Sequence, residues 1–135
     1  MKKTFTLFVL IFCLAASAHG QQQTKVKVNV VCGGTGDDKT DLCMELEMAV
    51  RTSPRYIRTD PLHATWRLRL ISEPDDCGQT PRSAHAVVVV GEMGGGMEQF
   101  GNTALYFTTK DNVQAQAQKI LSDFDQYLRD VEKWR

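Results

Sequence analysis

Apolar and polar residues alternate in several segments of the chain, which predicts strands with one buried side. Segment 25–32, KVKVNVVC, places three valines on one side, and segment 64–72, ATWRLRLIS, does the same with Trp66, Leu68 and Leu70. Segment 83–91, SAHAVVVVG, has an unbroken valine run that is typical of a strand inside a sheet. Shorter strands are predicted at 55–60 and 103–109. The glycine-containing segment 92–102 is predicted to be a flexible connection.

Two other segments have the spacing of amphipathic helices. The first is predicted from about Asp41, after possible capping residues at Asp38 and Thr40, and it ends at Pro54. The second follows Asp111 and runs towards the end of the chain. Their apolar positions are Leu42, Cys43, Leu46, Ala49 and Val50 in the first helix, and Val113, Ala117, Ile120, Leu121, Phe124, Leu128 and Val131 in the second.

The predicted element order is β-α-β-β-β-β-α. Because three strands alternate apolar with polar or charged residues, the sheet is expected to be covered on one face only. We therefore predict an α/β protein of the α+β type. It is a two-layer sandwich in which a mixed sheet of four to five strands carries two amphipathic helices on one face. The strand order around residues 60–63 stays open at this point.

The first 20 residues, MKKTFTLFVLIFCLAASAHG, have the organisation of a secretory signal peptide. Two lysines precede an apolar run, and the A-x-A arrangement at Ala16 to Ala18 predicts cleavage after Ala18 or after Gly20. Residues 21–24 are then a flexible tail, and residues 25–135 are predicted to form a single α/β domain. We expect a periplasmic or secreted protein.

Charge and hydropathy narrow the class of protein. The chain has 16 Lys and Arg against 16 Asp and Glu, and removal of Lys2 and Lys3 with the leader makes the remainder slightly acidic. Nucleic-acid binding is disfavoured because it requires a basic surface. After processing, no apolar segment approaches the length of about 20 residues that a transmembrane helix requires.

The leader contains Cys13, so that Cys32, Cys43 and Cys77 remain in the exported chain. An oxidising compartment favours one disulfide among them. We favour Cys32 with Cys77, because parallel strands would bring both to the same sheet edge. Cys32 with Cys43 is the second choice, and free thiols are the third possibility.

Residues of the first strand, VNVVC, and of the segment LCMELEMAVRTSPRYIRTD resemble the amino-terminal domain of the periplasmic protein TolB and related envelope modules. The shared pattern is a helix that runs into a serine-containing turn, an aromatic residue and a short strand ending in aspartate, here Ser53, Tyr56 and Asp60. It also includes the later strands and the carboxy-terminal amphipathic helix. The resemblance implies a non-catalytic module that docks other envelope proteins.

The search for motifs of catalysis and cofactor binding gives little support for an enzyme. GGTGDDKT lies between a strand and a helix, but Asp38 stands where a phosphate-binding loop needs glycine. No serine elbow, zinc motif or EF-hand spacing occurs, and neither His63 nor His85 lies in a catalytic motif. We expect no enzyme activity, no catalytic residues, no cofactor and no metal.

The uncovered sheet face is the candidate binding surface. We expect it to present Lys25, Lys27, Arg67, Arg69 and Tyr106, a cationic set with an aromatic that suits an anionic partner. The first functional hypothesis is thus an exported protein-interaction module of the cell envelope, with another envelope or secreted protein as partner. The alternative is a small secreted binding protein or inhibitor of an extracellular enzyme or ligand, which contacts its target through the loop around Gly94 to Gly96.

Overall fold

The computed structural model describes residues 24–34, 39–75, 82–93 and 97–133. The predicted signal peptide, the tail up to residue 23, Cys77 and the loop of Gly94 to Gly96 lie outside these residues. The described part contains five strands and two helices in the predicted order. They are β1 (Val26–Gly34), α1 (Lys39–Thr52), β2 (Tyr56–Arg58), β3 (Trp66–Asp75), β4 (Arg82–Met93), β5 (Met97–Thr108) and α2 (Val113–Lys133).

The strands form a mixed sheet in the order β2-β1-β3-β4-β5. Strand β1 is parallel to β2 and to β3, whereas β3, β4 and β5 are antiparallel neighbours. The strand order that the sequence left open is settled by the short strand β2, which lies at one edge of the sheet. After β2, the N–H of Thr59 donates to the carbonyl of Val28, and the chain turns at residues 60–63 to reach the other side of β1.

Both helices pack on one face of the sheet, which confirms the predicted two-layer α+β fold. The core joins β-strand residues such as Val28 and Leu68 to helical residues such as Leu46 and Ile120. Full burial of a side chain of this size contributes about 1.5–3 kcal/mol to folding. Six of the predicted apolar positions of α2 are buried: Val113, Ala117, Ile120, Leu121, Phe124 and Leu128.

Strand β5 differs from the prediction. It begins at Met97, so that residues 97–102 form a strand rather than a flexible connection. A register shift opposite Val89 and Val90 leaves Gly101 without a partner in β4, which is the geometry of a β-bulge. Beyond the bulge Tyr106 faces the helices and is 6% exposed, whereas Leu105 is 61% exposed on the opposite side. The expected position of Tyr106 on the uncovered face is therefore wrong.

The disulfide joins Cys32 near the end of β1 to Cys43 in the first turns of α1, with 6.2 Å between their Cα atoms. This corrects the favoured pairing of Cys32 with Cys77. Helix α1 packs beside β1 with Cys43 close to the end of the strand, so that the nearer cysteine lies within the Cα separation that a disulfide spans. The bridge ties the first strand to the first helix.

Neither helix in the described part of the chain combines the length and apolar character that crossing a membrane would require.

Candidate functional site

The candidate site is the open face of the sheet, which we define as the side turned away from both helices. Large apolar side chains are exposed there, among them Val31 at 40%, Ile71 at 49%, Leu105 at 61% and Phe107 at 40%. We call these four residues the open-face patch. They lie on β1, β3 and β5, three strands of one sheet, so that they share one surface.

The register of the strands explains how the open-face patch is assembled. Ile71 lies opposite Ala86, which in turn lies opposite Leu105, so that the three form a row across β3, β4 and β5. The adjacent position of β4 is Ala84, opposite Phe107. Both β4 residues are small, so that on this face they lie between or beside the larger side chains of β3 and β5.

One end of the patch is closed by an ion-paired cluster. Arg67 donates to the carboxylate of Glu98, and Nη2 of Arg69 lies 2.9 and 3.0 Å from the two Glu98 oxygens. Arg67 also donates to the carbonyl of Pro61 at 2.8 Å and is only 19% exposed. The open face is therefore less cationic than expected, because a carboxylate of β5 binds both arginines.

The other end of the patch carries a second arginine contact. The guanidinium of Arg82 pairs with Asp75 and lies 4.7 Å from the centre of the Phe107 ring. A cation over an aromatic face is attracted by the electron density of the ring. Phe107 is thereby held in place while part of its surface stays in solvent.

The remaining predicted face residues are dispersed. Lys25 and Lys27 are exposed, with Lys25 just before β1 and Lys27 within it. Asn29 is buried and donates to the carbonyl of Thr59 at 2.8 Å, so that it joins β1 to the segment after β2. Of the predicted set, the structure brings together only Arg67 and Arg69, through Glu98.

On the covered face, two tyrosines bind aspartates of α2. Tyr106 donates to Asp123 at 2.8 Å, and Tyr56 donates to Asp125 at 2.5 Å. Burial raises the pKa of each tyrosine above its ordinary range, and the aspartate that it bonds raises that pKa further. Both phenols stay protonated and anchor α2 to the sheet.

A polar groove with a volume of about 350 Å³ lies between the start of β2 and α2. Asp125 lines it and pairs with Arg55 at 2.8 Å and with Arg129 at 2.7 Å, in addition to its bond from Tyr56. Burial alone would raise the pKa of Asp125. The hydrogen bonds from Tyr56 and Arg129 and the charges of both arginines instead hold it below its ordinary value. The partners of Asp125 are all groups of this chain, which is the pattern of a structural ion-pair network.

A serine and a histidine do meet, but in the interior. Nδ1 of His85 lies 2.7 Å from the hydroxyl of Ser72, and Nε2 lies 2.5 Å from the hydroxyl of Thr108. All three side chains have no solvent exposure, so that a substrate has no access to them. The histidine thus links three adjacent strands by hydrogen bonds.

Sequence reasoning missed the residues that define the open face best, namely Ile71, Leu105, Phe107 and Glu98. Leucine and phenylalanine in an alternating segment favour burial, whereas β5 buries the more polar alternates, a tyrosine and a threonine. The signal in the sequence is the lack of charged residues at 99–109, because it leaves neither side of this strand clearly marked as the solvent side.

Comparison of the chain with protein-family models finds no match, and comparison with curated proteins finds none either. Among solved structures, the chain resembles the hypothetical protein CT253 from Chlamydia trachomatis, with 8% sequence identity and a TM-score of 0.44. The alignment covers 81% of this chain and 96% of that chain. The assignment of a function therefore rests on the residues of this chain alone.

Proposed function

We propose that this chain is an exported, non-catalytic protein-interaction module of the cell envelope, which docks another protein on the open face of its sheet. The observation that carries the proposal is the open-face patch. Large apolar side chains that share one exposed surface are a feature of contact sites, because their exposure to water is unfavourable in the free protein. The signal-peptide pattern and the resemblance to the TolB amino-terminal domain support an envelope location.

The chemistry of the face favours an apolar partner surface. The charged groups at its two ends already pair within the chain, through Glu98 with Arg67 and Arg69 and through Asp75 with Arg82. A strongly acidic partner would have to compete with Glu98 for the arginines. An apolar segment that packs over Ala86, between Ile71 and Leu105, buries the patch and leaves both ion-paired ends at the rim, as in other interfaces.

A non-catalytic role agrees with the chemistry of the interior. The Ser–His contact described above lies out of reach of solvent, and the groove beside α2 has its carboxylate, Asp125, bonded by two arginines and a tyrosine of the chain itself. Catalysis needs titratable groups that reach a substrate. Neither arrangement offers one.

Site-specific photo-cross-linking in the native organism tests the proposal. A photoreactive side chain placed at Ile71 is expected to capture one defined envelope or secreted protein. The matched control is Leu62, an apolar residue that is 84% exposed in the turn before β3 and does not belong to the patch. If positions 71 and 62 capture the same products in the same yield, the open face is not the docking site.

A further inference from the structure

Strand β5 forms a sheet edge that, beyond the bulge at Gly101, lacks the usual protection against pairing. The opposite edge, β2, has three residues, whereas β5 has twelve. From Gln99 to Thr109 the chain has neither a charged residue nor a proline. Natural edge strands are commonly blunted by shortness, by lysine or by proline, because a bare edge recruits another strand. Strand β5 has none of these features in its second half.

The direction of the free backbone groups in β5 follows from its hydrogen bonds. The N–H of Thr103 donates to the side chain of Asn102 at 2.8 Å, so that it does not point at β4. In an antiparallel ladder alternate residues turn both N–H and C=O to the same side. Thr103, Leu105 and Phe107 therefore direct their backbone groups to the outer edge, while Ala104 and Tyr106 bond to β4.

A two-fold axis at Leu105 pairs these outward residues with themselves. Leu105 then lies opposite Leu105 of the partner subunit, and Thr103 lies opposite the partner's Phe107. The row of Ile71, Ala86 and Leu105 continues directly into the same row of the second copy. A symmetric contact of this kind uses one surface twice and closes at two copies.

The charges near β5 permit the same arrangement. Glu98 is bound by Arg67 and Arg69 of its own chain, and Lys110 lies two residues beyond the end of β5. The segment that pairs around Leu105 therefore carries no charge of its own. Like charges on neighbouring strands, which would destabilise the pair, do not arise in this segment.

We propose that two copies of this chain pair through β5, antiparallel about a two-fold axis at Leu105, so that their sheets form one continuous ten-stranded sheet. The two open-face patches then become one apolar surface across the dimer. This proposal goes beyond the docking function, because it concerns the edge of the sheet and not its open face. The partner at this edge is a second copy of the same chain.

Sedimentation velocity of the purified protein between about 5 and 500 µM tests the pairing, since a dimer population follows concentration by mass action. We expect a monomer–dimer equilibrium, and we expect L105K to weaken it about tenfold or more by placing two like charges face to face. The control L62K adds the same charge at a remote exposed site and is expected to leave the equilibrium unchanged. A protein that is monomeric throughout this range overturns the proposal, and the edge would then be open to a strand of another protein.

A second measurement reports the two-fold axis itself. In a C77S background, L105C is expected to form a covalent dimer under mild oxidation. The Cα atoms of a hydrogen-bonded antiparallel pair are about 5.5 Å apart, within the range of a disulfide. Equal yields from L105C and L62C would contradict the axis. The variant I71E is expected to stay dimeric, because β4 separates β3 from the edge, so that loss of docking and loss of dimerisation are distinguishable.

Discussion

At the scale of single residues, Asp125 holds α2 against the start of β2. Its carboxylate accepts hydrogen bonds from Tyr56 and Arg129 and pairs with Arg55, and its side chain is only 21% exposed. Replacement of the carboxylate by an amide removes the negative charge and one of the two acceptor oxygens, so that the two arginines and the buried phenol compete for the one that remains. A group left unsatisfied in this way costs more than the net gain of the original bond.

We expect D125N to lower the free energy of unfolding by about 1–3 kcal/mol. The control is D130N, because Asp130 is about half exposed and pairs with Lys133 on the outer side of the same helix. Surface pairs of that kind are worth about 0–1 kcal/mol. Urea unfolding of the two variants at neutral pH compares them, and equal losses would contradict a special role for Asp125.

The dependence of stability on acid pH also reports on the carboxylate of Asp125. Because the pKa of Asp125 is held below its ordinary value in the folded protein, its contribution is complete above that ordinary value. The contribution is lost as the pH falls through the folded-state pKa, that is, below about pH 4. We therefore expect the stability difference between wild type and D125N to shrink on acidification. Unfolding of both proteins at several pH values measures this difference. A difference that stays constant down to pH 2 would contradict the assignment.

Gly91 is a second residue whose role is specific. A Cβ atom there would lie 2.7 Å from Cζ3 of Trp66, whose ring packs edge-on against Phe124 and Tyr127. G91A is expected to cost about 1–3 kcal/mol by forcing this aromatic cluster to shift. The control G33A adds the same methyl group where the nearest atom is 4.0 Å away. Thermal unfolding followed by tryptophan emission measures both, and a G91A protein as stable as G33A would contradict the packing.

At the scale of elements, the disulfide fixes α1 to the end of β1. Closure of an 11-residue separation is worth about 3 kcal/mol in the chain-entropy account. The chain was expected to pair Cys32 with the more distant Cys77, because the spacing along the chain does not reveal how tightly a helix turns back over its strand. The position of α1 beside β1 decides the matter, because it places Cys43 within reach of Cys32.

A tryptic map without reduction checks this pairing. Cleavage after Lys39 separates the two cysteines, so that peptides 28–39 and 40–51 are expected to remain joined and to separate on reduction. Reduction of the intact protein is expected to lower its stability by about 3 kcal/mol, and C77S to leave the joined peptides unchanged. Joining of peptide 28–39 to a peptide that contains Cys77 would contradict the structure.

Periodicity predicted most elements because each carries its own signal. The alternation of β1 and β3 follows from one buried face, and the apolar spacing of α2 matches its buried residues. Strand β5 was only half predicted, because Gly101 interrupts its pattern and pairing with β4 supplies the order that local propensity lacks. The contact of Glu98 with Arg67 and Arg69 was not predictable, since it depends on the register between strands about 30 residues apart.

At the scale of the whole molecule, the two faces of the sheet have different roles. The covered face contains the core, the tyrosine–aspartate anchors and the buried His85. The open face displays Ile71, Leu105 and Phe107 between two ion-paired ends. Replacement of a docking residue by a charged one destabilises the bound state alone if the residue makes no core contact in the free protein. Ile71, half exposed in a central strand, meets this condition best.

The affinity of I71E for the protein captured at position 71 tests the docking account most directly. With purified proteins in a titration calorimeter, we expect I71E to bind about 10 to 100 times more weakly than wild type, because a charge would be buried in an apolar contact. L62E adds the same charge at a side chain that is 84% exposed, and it is expected to bind as wild type does. Unchanged affinity of I71E, with its fold verified by circular dichroism, would contradict the proposal that the open face is the docking surface.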